Sequence, residues 1–249
     1  MNSQTNQKPV IIRKVNQKVG KAIQKYSLIE EGDRLLVGLS GGKDSMVLLE
    51  TLAGRLNHQK VNYELAAIHI SLKSQPYRID LNYLSDFAES LQVPFIHQVI
   101  DVDLFEENCN NPCFVCSWNR RKALFETAQK LGYNKLALGH HMDDAIETLL
   151  MNMVFQAGIS SMPPSLSMFS GKLNIIRPLL LLTEAEVKEF ATFRNFRREI
   201  KTCTYEKVSK RKDIKNLINQ LAELTPRARL NIYASMTNIQ AEYLPKEKY

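Results

Sequence analysis

In Ser40-Gly41-Gly42-Lys43-Asp44-Ser45, residue types that grip an anion stand side by side. Gly41 and Gly42 let backbone N–H groups turn towards negative charge, Lys43 adds a point charge, and Ser40 and Ser45 offer hydroxyls. Asp44 is out of place beside phosphate unless it binds Mg²⁺ that the phosphate also ligates. The run departs from the pattern G-x-x-x-x-G-K-[ST]: Gly38 to Gly42 is one residue too short, and Asp44 separates Lys43 from Ser45. A tight strand-to-helix turn accounts for the glycines but not for the lysine and serines.

A second string, "LALGHHMDDAIETLLMN", places Gly139, His140 and His141 ahead of Asp143, Asp144 and Glu147. Acids in a first helical turn are favoured by the helix end, which accounts for Asp144 or Glu147 alone. Carboxylates near a phosphate loop are also natural ligands of a divalent cation. A third string, "CNNPCFVCSWNRRKALF", contains Cys113-x-x-Cys116 followed by Arg120 and Arg121. Thiols in a cationic helix start have lowered pKa values or hold metal, and a closed metal site needs further ligands. Cys203, in "IKTCTYEK", is a candidate for the third. Cys109 adds the spacing C-x-x-x-C-x-x-C of radical S-adenosylmethionine enzymes. Their motif belongs near the start of a β/α barrel with no glycine loop ahead of it. Cys109 therefore stands as a substitute ligand, a persulfide carrier or a bystander. His69 ends a predicted strand and can reach an adenine, whereas His58 and His97 read as structural.

These residues need a frame. Arg34 to Leu39, Tyr63 to Ile70, Phe95 to Asp101, Lys135 to Leu138 and Asn174 to Arg177 read as strands. Met46 to Arg55, Asp80 to Leu91, Cys116 to Leu131 and Asp143 to Phe155 read as helices between them, Gly132 marking one C-terminus. Thr183 caps a further helix, Glu184 to Phe193, with Glu186 at the capping-box position. Strand–helix alternation predicts an α/β fold, a Rossmann-like parallel sheet with helices on both faces. Ligands of such sheets bind outside the carboxyl ends of the strands, where the glycine loop and Gly139-His140-His141 both fall. Gly158 to Lys172, rich in Gly, Ser, Pro and Met, reads as a mobile loop. The expected division is an N-terminal basic helical extension (1–30), a nucleotide-binding domain (31–200) and a C-terminal helical tail packing on it (201–249).

The bulk numbers bound the partners. There are 33 Lys and Arg against 26 Asp and Glu in 249 residues, which gives +7 and favours polyanions. Six basic residues and no acid lie from Lys8 to Lys25, on an amphipathic helix that either packs on the core with a solvated cationic face or tracks phosphates. Arg194 to Lys215 holds nine Lys and Arg against three acids. Trp118, Tyr205 and Phe196 are candidate platforms for a splayed base. No secretory signal and no membrane-spanning run is apparent, so a cytoplasmic chain with reduced thiols is expected.

Ser40-Gly41-Gly42-Lys43-Asp44-Ser45 resembles the signature of the PP-loop, or N-type ATP pyrophosphatase, superfamily. The string from Gly139 to Thr148 is similar to its second motif, Gly-His-x-x-Asp-Asp-x-x-Glu-Thr. The cysteines choose the branch. The order of loop, Cys-x-x-Cys before two arginines, the histidine–aspartate motif and a downstream cysteine resembles the tRNA 2-thiocytidine synthetase family, over roughly residues 15 to 240. "IIRPLLLLTEAEVKEFA" is similar to that family's following segment. A related branch carries N-terminal zinc fingers, but residues 1 to 30 contain no cysteine; lysidine synthesis needs none of the cysteines. Glu206 stands where the family usually has a second downstream cysteine.

The resemblance implies an ATP-dependent sulfurtransferase. ATP would lie on Ser40, Gly41, Gly42, Lys43, Asp44 and Ser45, with His69, Gly139 and His140 near the nucleotide. Lys43, Asp44 and Asp143 would be catalytic, and Asp44 and Asp143 would hold Mg²⁺. Cys113, Cys116 and Cys203 would hold a [4Fe-4S] cluster. The implied substrate is a cytidine of the tRNA anticodon loop, position 32, whose O2 is adenylated and replaced by sulfur. The implied partners are tRNA, a sulfur donor such as a cysteine desulfurase, and a second copy of the chain. Two alternatives stand beside this: a paralogue thiolating another tRNA base or a small molecule, and a cluster-binding or zinc-binding regulator with a degenerate nucleotide site.

Overall fold

The computed structural model describes residues 9–56, 61–73, 79–102, 112–197 and 210–245. Six strands form one sheet: β1 (Asp33–Gly38), β2 (Tyr63–Leu72), β3 (Phe95–Ile100), β4 (Lys135–Ala137), β5 (Ser165–Met168) and β6 (Leu173–Ile176), in the order β3-β2-β1-β4-β6-β5. All pairs are parallel except β5 with β6. The helices are α1 (Val10–Lys25), α2 (Lys43–Ala53), α3 (Leu81–Ser90), α4 (Pro112–Lys130), α5 (Met142–Gln156), α6 (Glu184–Phe193), α7 (Lys210–Leu224) and α8 (Ala228–Ser235). The α/β fold expected from the alternation of strands and helices is the one observed.

Contacts divide the chain into two compact units. One comprises 1–141 and 163–208, the other 142–162 and 209–249. The expected boundaries at 30 and 200 describe a different partition, because α5 groups with the C-terminal helices and α1 with the sheet.

In the first unit, apolar side chains leave the sheet on both faces. On one, Leu35, Val37 and Ala67 meet Val15, Val19 and Ile23 of α1, Leu48 and Leu52 of α2, and Phe190 of α6. On the other, Leu36, Ala66, Ile68 and Leu136 meet Ala123 and Ala128 of α4. Each fully buried aliphatic side chain contributes about 1.5–3 kcal/mol, so the apolar stripe of α1, more than its propensity, keeps that helix folded. Its cationic side is also engaged: Lys14 and Lys18 lie 2.9 and 2.8 Å from Glu186. Of the two readings of the basic helix, packing on the core therefore holds, and two of its charges are spent within the unit. Asp33 fixes the start of β1, accepting from Glu30 N–H and Asn134 Nδ2 at 2.7 Å while Lys135 stands 3.1 Å away.

Two expectations need correction. Ser165–Met168, expected to be part of a mobile loop, is an edge strand hairpinned to β6. Its turn, Phe169-Ser170-Gly171, is left-handed at all three residues (φ 53°, 56°, 87°) without the usual Asn-Gly signal. Helix α4 begins at Pro112, four residues earlier than expected. Proline suits a first helical position because its missing N–H would be unpaired there anyway.

The second unit packs α5 on α7 and α8. Met142 and Ile146 meet Ile214 and Ile218, with Leu150, Met151, Ile232 and Tyr233 around them.

Candidate active site

Strand order reverses at β1: β2 lies on one side and β4 on the other. Connections after β1 and β4 therefore diverge, which leaves a crevice at the carboxyl edge of the sheet. The glycine loop leaves β1 at that crevice. Gly41 takes φ 88°, a conformation that side chains rarely adopt. Gly42 begins α2 without a side-chain cap, so the first N–H groups of the helix are not claimed by a capping side chain.

The serines brace the loop. Ser45 Oγ accepts from Ser40 N–H at 3.1 Å and donates to the Gly42 carbonyl at 2.9 Å; Ser40 Oγ accepts from Gly42 N–H at 3.3 Å and lies 3.2 Å from Ser45 Oγ. Lys43 Nζ bridges both Asp44 oxygens, at 2.9 and 3.1 Å. Glu184 at the start of α6 stands 3.8 Å from the same ammonium, and buried His141 has Nε2 3.8 Å from Asp44. The sequence reading missed both roles, although Glu184 opens the helix that follows β6 at the functional edge and His141 was already in the quoted motif. Gly139 has a steric reason to be glycine: a Cβ there would lie 2.9 Å from the carbonyl carbon and oxygen of Asp44. The loop and the end of β4 thus pack backbone to backbone. His140 is half-buried and its N–H donates to the Leu138 carbonyl at 2.9 Å.

His69 reaches this edge one residue beyond the register pair Gly38↔Ile68. Its ring is buried, stacks on His97 at 6.1 Å between centroids, and has Nδ1 2.7 Å from the Leu39 carbonyl. Only a protonated Nδ1 can donate there, so Nε2 is an acceptor; it is buried and without a hydrogen-bond partner. Burial lowers the pKa of this ring, keeping it neutral. Arg177, just past β6, is a further residue the sequence reading overlooked. It is buried, one terminal nitrogen donates to the Pro163 carbonyl at 2.6 Å, and its Nε lacks a partner. Burial, then the nearby charge of Arg121, lowers its pKa.

Positions 113 and 116 are one turn apart at the start of α4, on one helical face. Cys116 is half-buried and not in a disulfide. Cys109, Cys203 and Tyr205 lie outside the described residues. Trp118 is exposed, with Lys122 Nζ 5.6 Å from its ring centroid. Phe196 is not a platform: it packs edge-on against Phe87 at 5.3 Å, because the chain turns inward after α6. Arg194 and Arg197, expected to track phosphates, pair with Glu50 and Asp80 at 2.8 and 3.0 Å.

In the second unit two arginines engage the three carboxylates of the acidic turn. Asp143 accepts from Arg229 Nε at 2.8 Å, Asp144 from Arg211 at 2.9 Å, and Glu147 from Arg211 Nε at 2.6 Å.

A parallel sheet whose switch point carries an uncapped helix start and a lysine defines a nucleotide-binding α/β protein. A family model described as the PP-loop domain matches residues 11–222. The tRNA-cytidine(32) 2-sulfurtransferase of Geobacter sulfurreducens is 34% identical over 238 residues, 93% of this chain and 92% of that protein. Its namesake from Syntrophotalea carbinolica is 35% identical over 240 residues, 94% and 92% of the two chains. The chain belongs to the PP-loop domain family and, within it, to the family of these 2-sulfurtransferases. Among solved structures, the U34-tRNA thiolase NcsA from Methanococcus maripaludis with its [4Fe-4S] cluster matches with a TM-score of 0.77 at 23% identity, covering 96% of this chain and 81% of that one. At that identity the likeness concerns the fold.

Proposed function

We propose that this protein is an ATP-dependent tRNA sulfurtransferase acting on the cytidine at position 32 of the anticodon loop. The observation that carries the reading is the braced loop with its uncapped helix start, in a chain about a third identical, almost end to end, to proteins of that activity. The N–H groups after Gly41 and the Lys43 ammonium receive the phosphates of ATP. The cytidine O2 attacks the α phosphate; the bond to the β phosphate breaks and pyrophosphate leaves. Sulfur then adds to C2, the C2–O bond breaks, and AMP departs with the former O2. Cys113, Cys116 and Cys203 would hold a [4Fe-4S] cluster, which would supply bound sulfur as the nucleophile.

His69 Nε2 offers a fixed acceptor to an exocyclic amine of the nucleotide, with Gly139 and His140 beside it. Asp44 would hold the Mg²⁺ that accompanies ATP, and Asp143 could act as a metal ligand or catalytic group only once Arg229 lets go of its carboxylate. Among the described residues no helix is long and apolar enough to cross a membrane. A cytoplasmic setting, a sulfur donor such as a cysteine desulfurase and a homodimer complete the proposal.

The test is anaerobic purification followed by turnover with ATP, Mg²⁺, sulfide and unmodified tRNA. Expected are about four irons per chain, pyrophosphate released only with tRNA present, and 2-thiocytidine in the digested RNA. Stoichiometric zinc, or ATP cleavage without a thiolated base, would overturn the proposal.

A further inference from the structure

A cavity of about 700 Å³ lies in the first unit at the opposite end of α2 from the glycine loop. It is bounded by the first turns of α1 and the last turns of α2 and α6. Eleven residues of helix, about 16 Å, separate it from Lys43. Three arginines line it against one carboxylate, and that one is taken: Glu50 pairs with Arg194 at 2.8 Å. Arg13 and Arg55 have no ion pair among the described residues.

Arg55 is the informative one. Its Nε is buried with no hydrogen-bond partner, and a terminal nitrogen donates to the Asn16 carbonyl of α1. Burial lowers its pKa, with only Tyr63 acting the other way. The fold makes room for this group at a cost, because Gly20 sits inside α1 where glycine weakens a helix. A Cβ at that position would lie 2.6 Å from an Arg55 nitrogen. A partly buried cation kept without an acid is what an anion-binding site looks like when no anion is bound. Helix α1 opens beside it with no side-chain cap and no acid in its first turn. Phe193, 48% exposed, adds an aromatic face to the lining.

We infer that this cavity binds a nucleotide, with its phosphate on Arg13, Arg55 and the start of α1 and its base against Phe193. The chemistry is shared by a free mononucleotide and by a nucleotide of the tRNA chain. The site touches none of the residues proposed for thiolation, and it stands whether or not that reaction does.

Full-length Arg13→Glu and Phe193→Ser proteins, both altered at exposed positions, separate the sources. Binding of CMP is measured by calorimetry and binding of tRNA across a salt series, with the KM for ATP in pyrophosphate release as a control for the loop. If the site is for free nucleotide, both substitutions weaken CMP at least about tenfold, by loss of a charged contact or a stacking face, and leave tRNA unchanged. If it is for RNA, both weaken tRNA, and Arg13→Glu also lowers the salt slope by about one. Either result with an unchanged KM for ATP supports the site. Folded variants that bind both CMP and tRNA within about twofold of the parent would overturn it.

Discussion

The glycine loop and the acidic turn of α5 both stand where a strand hands over to a helix, and they differ in what their polar groups touch. In the loop, serine hydroxyls bond to the loop's own backbone, and the helix start behind them has no cap. In the turn, three carboxylates meet guanidinium groups of Arg229 and Arg211. The first arrangement holds donors ready for a ligand. The second engages its carboxylates within the unit and clamps α5 to α7 and α8. Similar signatures in sequence thus leave a helix start uncapped in one unit and tie three helices together in the other.

The sharpest break between them is Lys43→Ala. If its charge meets the phosphates as proposed, its removal should lower the kcat of pyrophosphate release about 10²–10³-fold. The side chain is about one-third exposed and packs into no core, so the melting temperature should stay within about 2 °C. Asp143→Ala should do the reverse. It removes the ion-pair partner of Arg229 and leaves it the Asn219 amide oxygen, and losing one partner of a mostly buried pair costs about 2–4 kcal/mol, a fall of about 5–10 °C at this chain length. A protein that kept its melting temperature but lost turnover would show Asp143 to be an ion ligand and not a clamp.

That contrast also explains what was legible beforehand. The loop is written contiguously, so its chemistry can be read from six residues; so can the capping box of Thr183 and Glu186, three residues apart. Arg211 lies 64 residues from Glu147 and Arg229 lies 86 from Asp143, and no local pattern announces such partners. The hairpin of β5 was hidden because Phe169-Ser170-Gly171 adopts left-handed turns without their usual residues. The acceptor role of His69 depends on the Leu39 carbonyl 30 residues away, a contact that exists only once β1 and β2 are in register. Glu184 was read as a helix start alone, because its neighbour Lys43 comes from another element.

A smaller effect sharpens the loop's side of the comparison. Ser40→Ala deletes the oxygen that holds Gly42 N–H and faces Ser45. One hydrogen bond of this kind is worth about 1 kcal/mol. The KM for ATP should therefore rise about three- to tenfold with little change in melting temperature. An unchanged KM would mean that the serines do not preorganise the loop.

The smallest expected change, read by pH, concerns a carboxylate of the first unit that serves cohesion as those of α5 do in theirs. Burial pushes the Glu186 pKa up, but hydrogen bonds from Lys18, Thr183 N–H and Lys14 outweigh it and bring it down to about 2 from 4.5. A folded-state pKa below the unfolded one means that the folded protein binds protons less readily. The stability it confers is therefore complete above about pH 4.5 and is lost as pH falls towards 2. Denaturant midpoints across that window should drop steeply for the parent and less steeply for Glu186→Gln, which has no charge to lose. At pH 7 the variant should be about 1 kcal/mol less stable, through weakened ion pairs and capping box, with kcat unaltered. Parallel midpoint curves would show that Lys14 and Lys18 contribute nothing to the packing of α1 on α6, and that the basic face of α1 remains free for a polyanion.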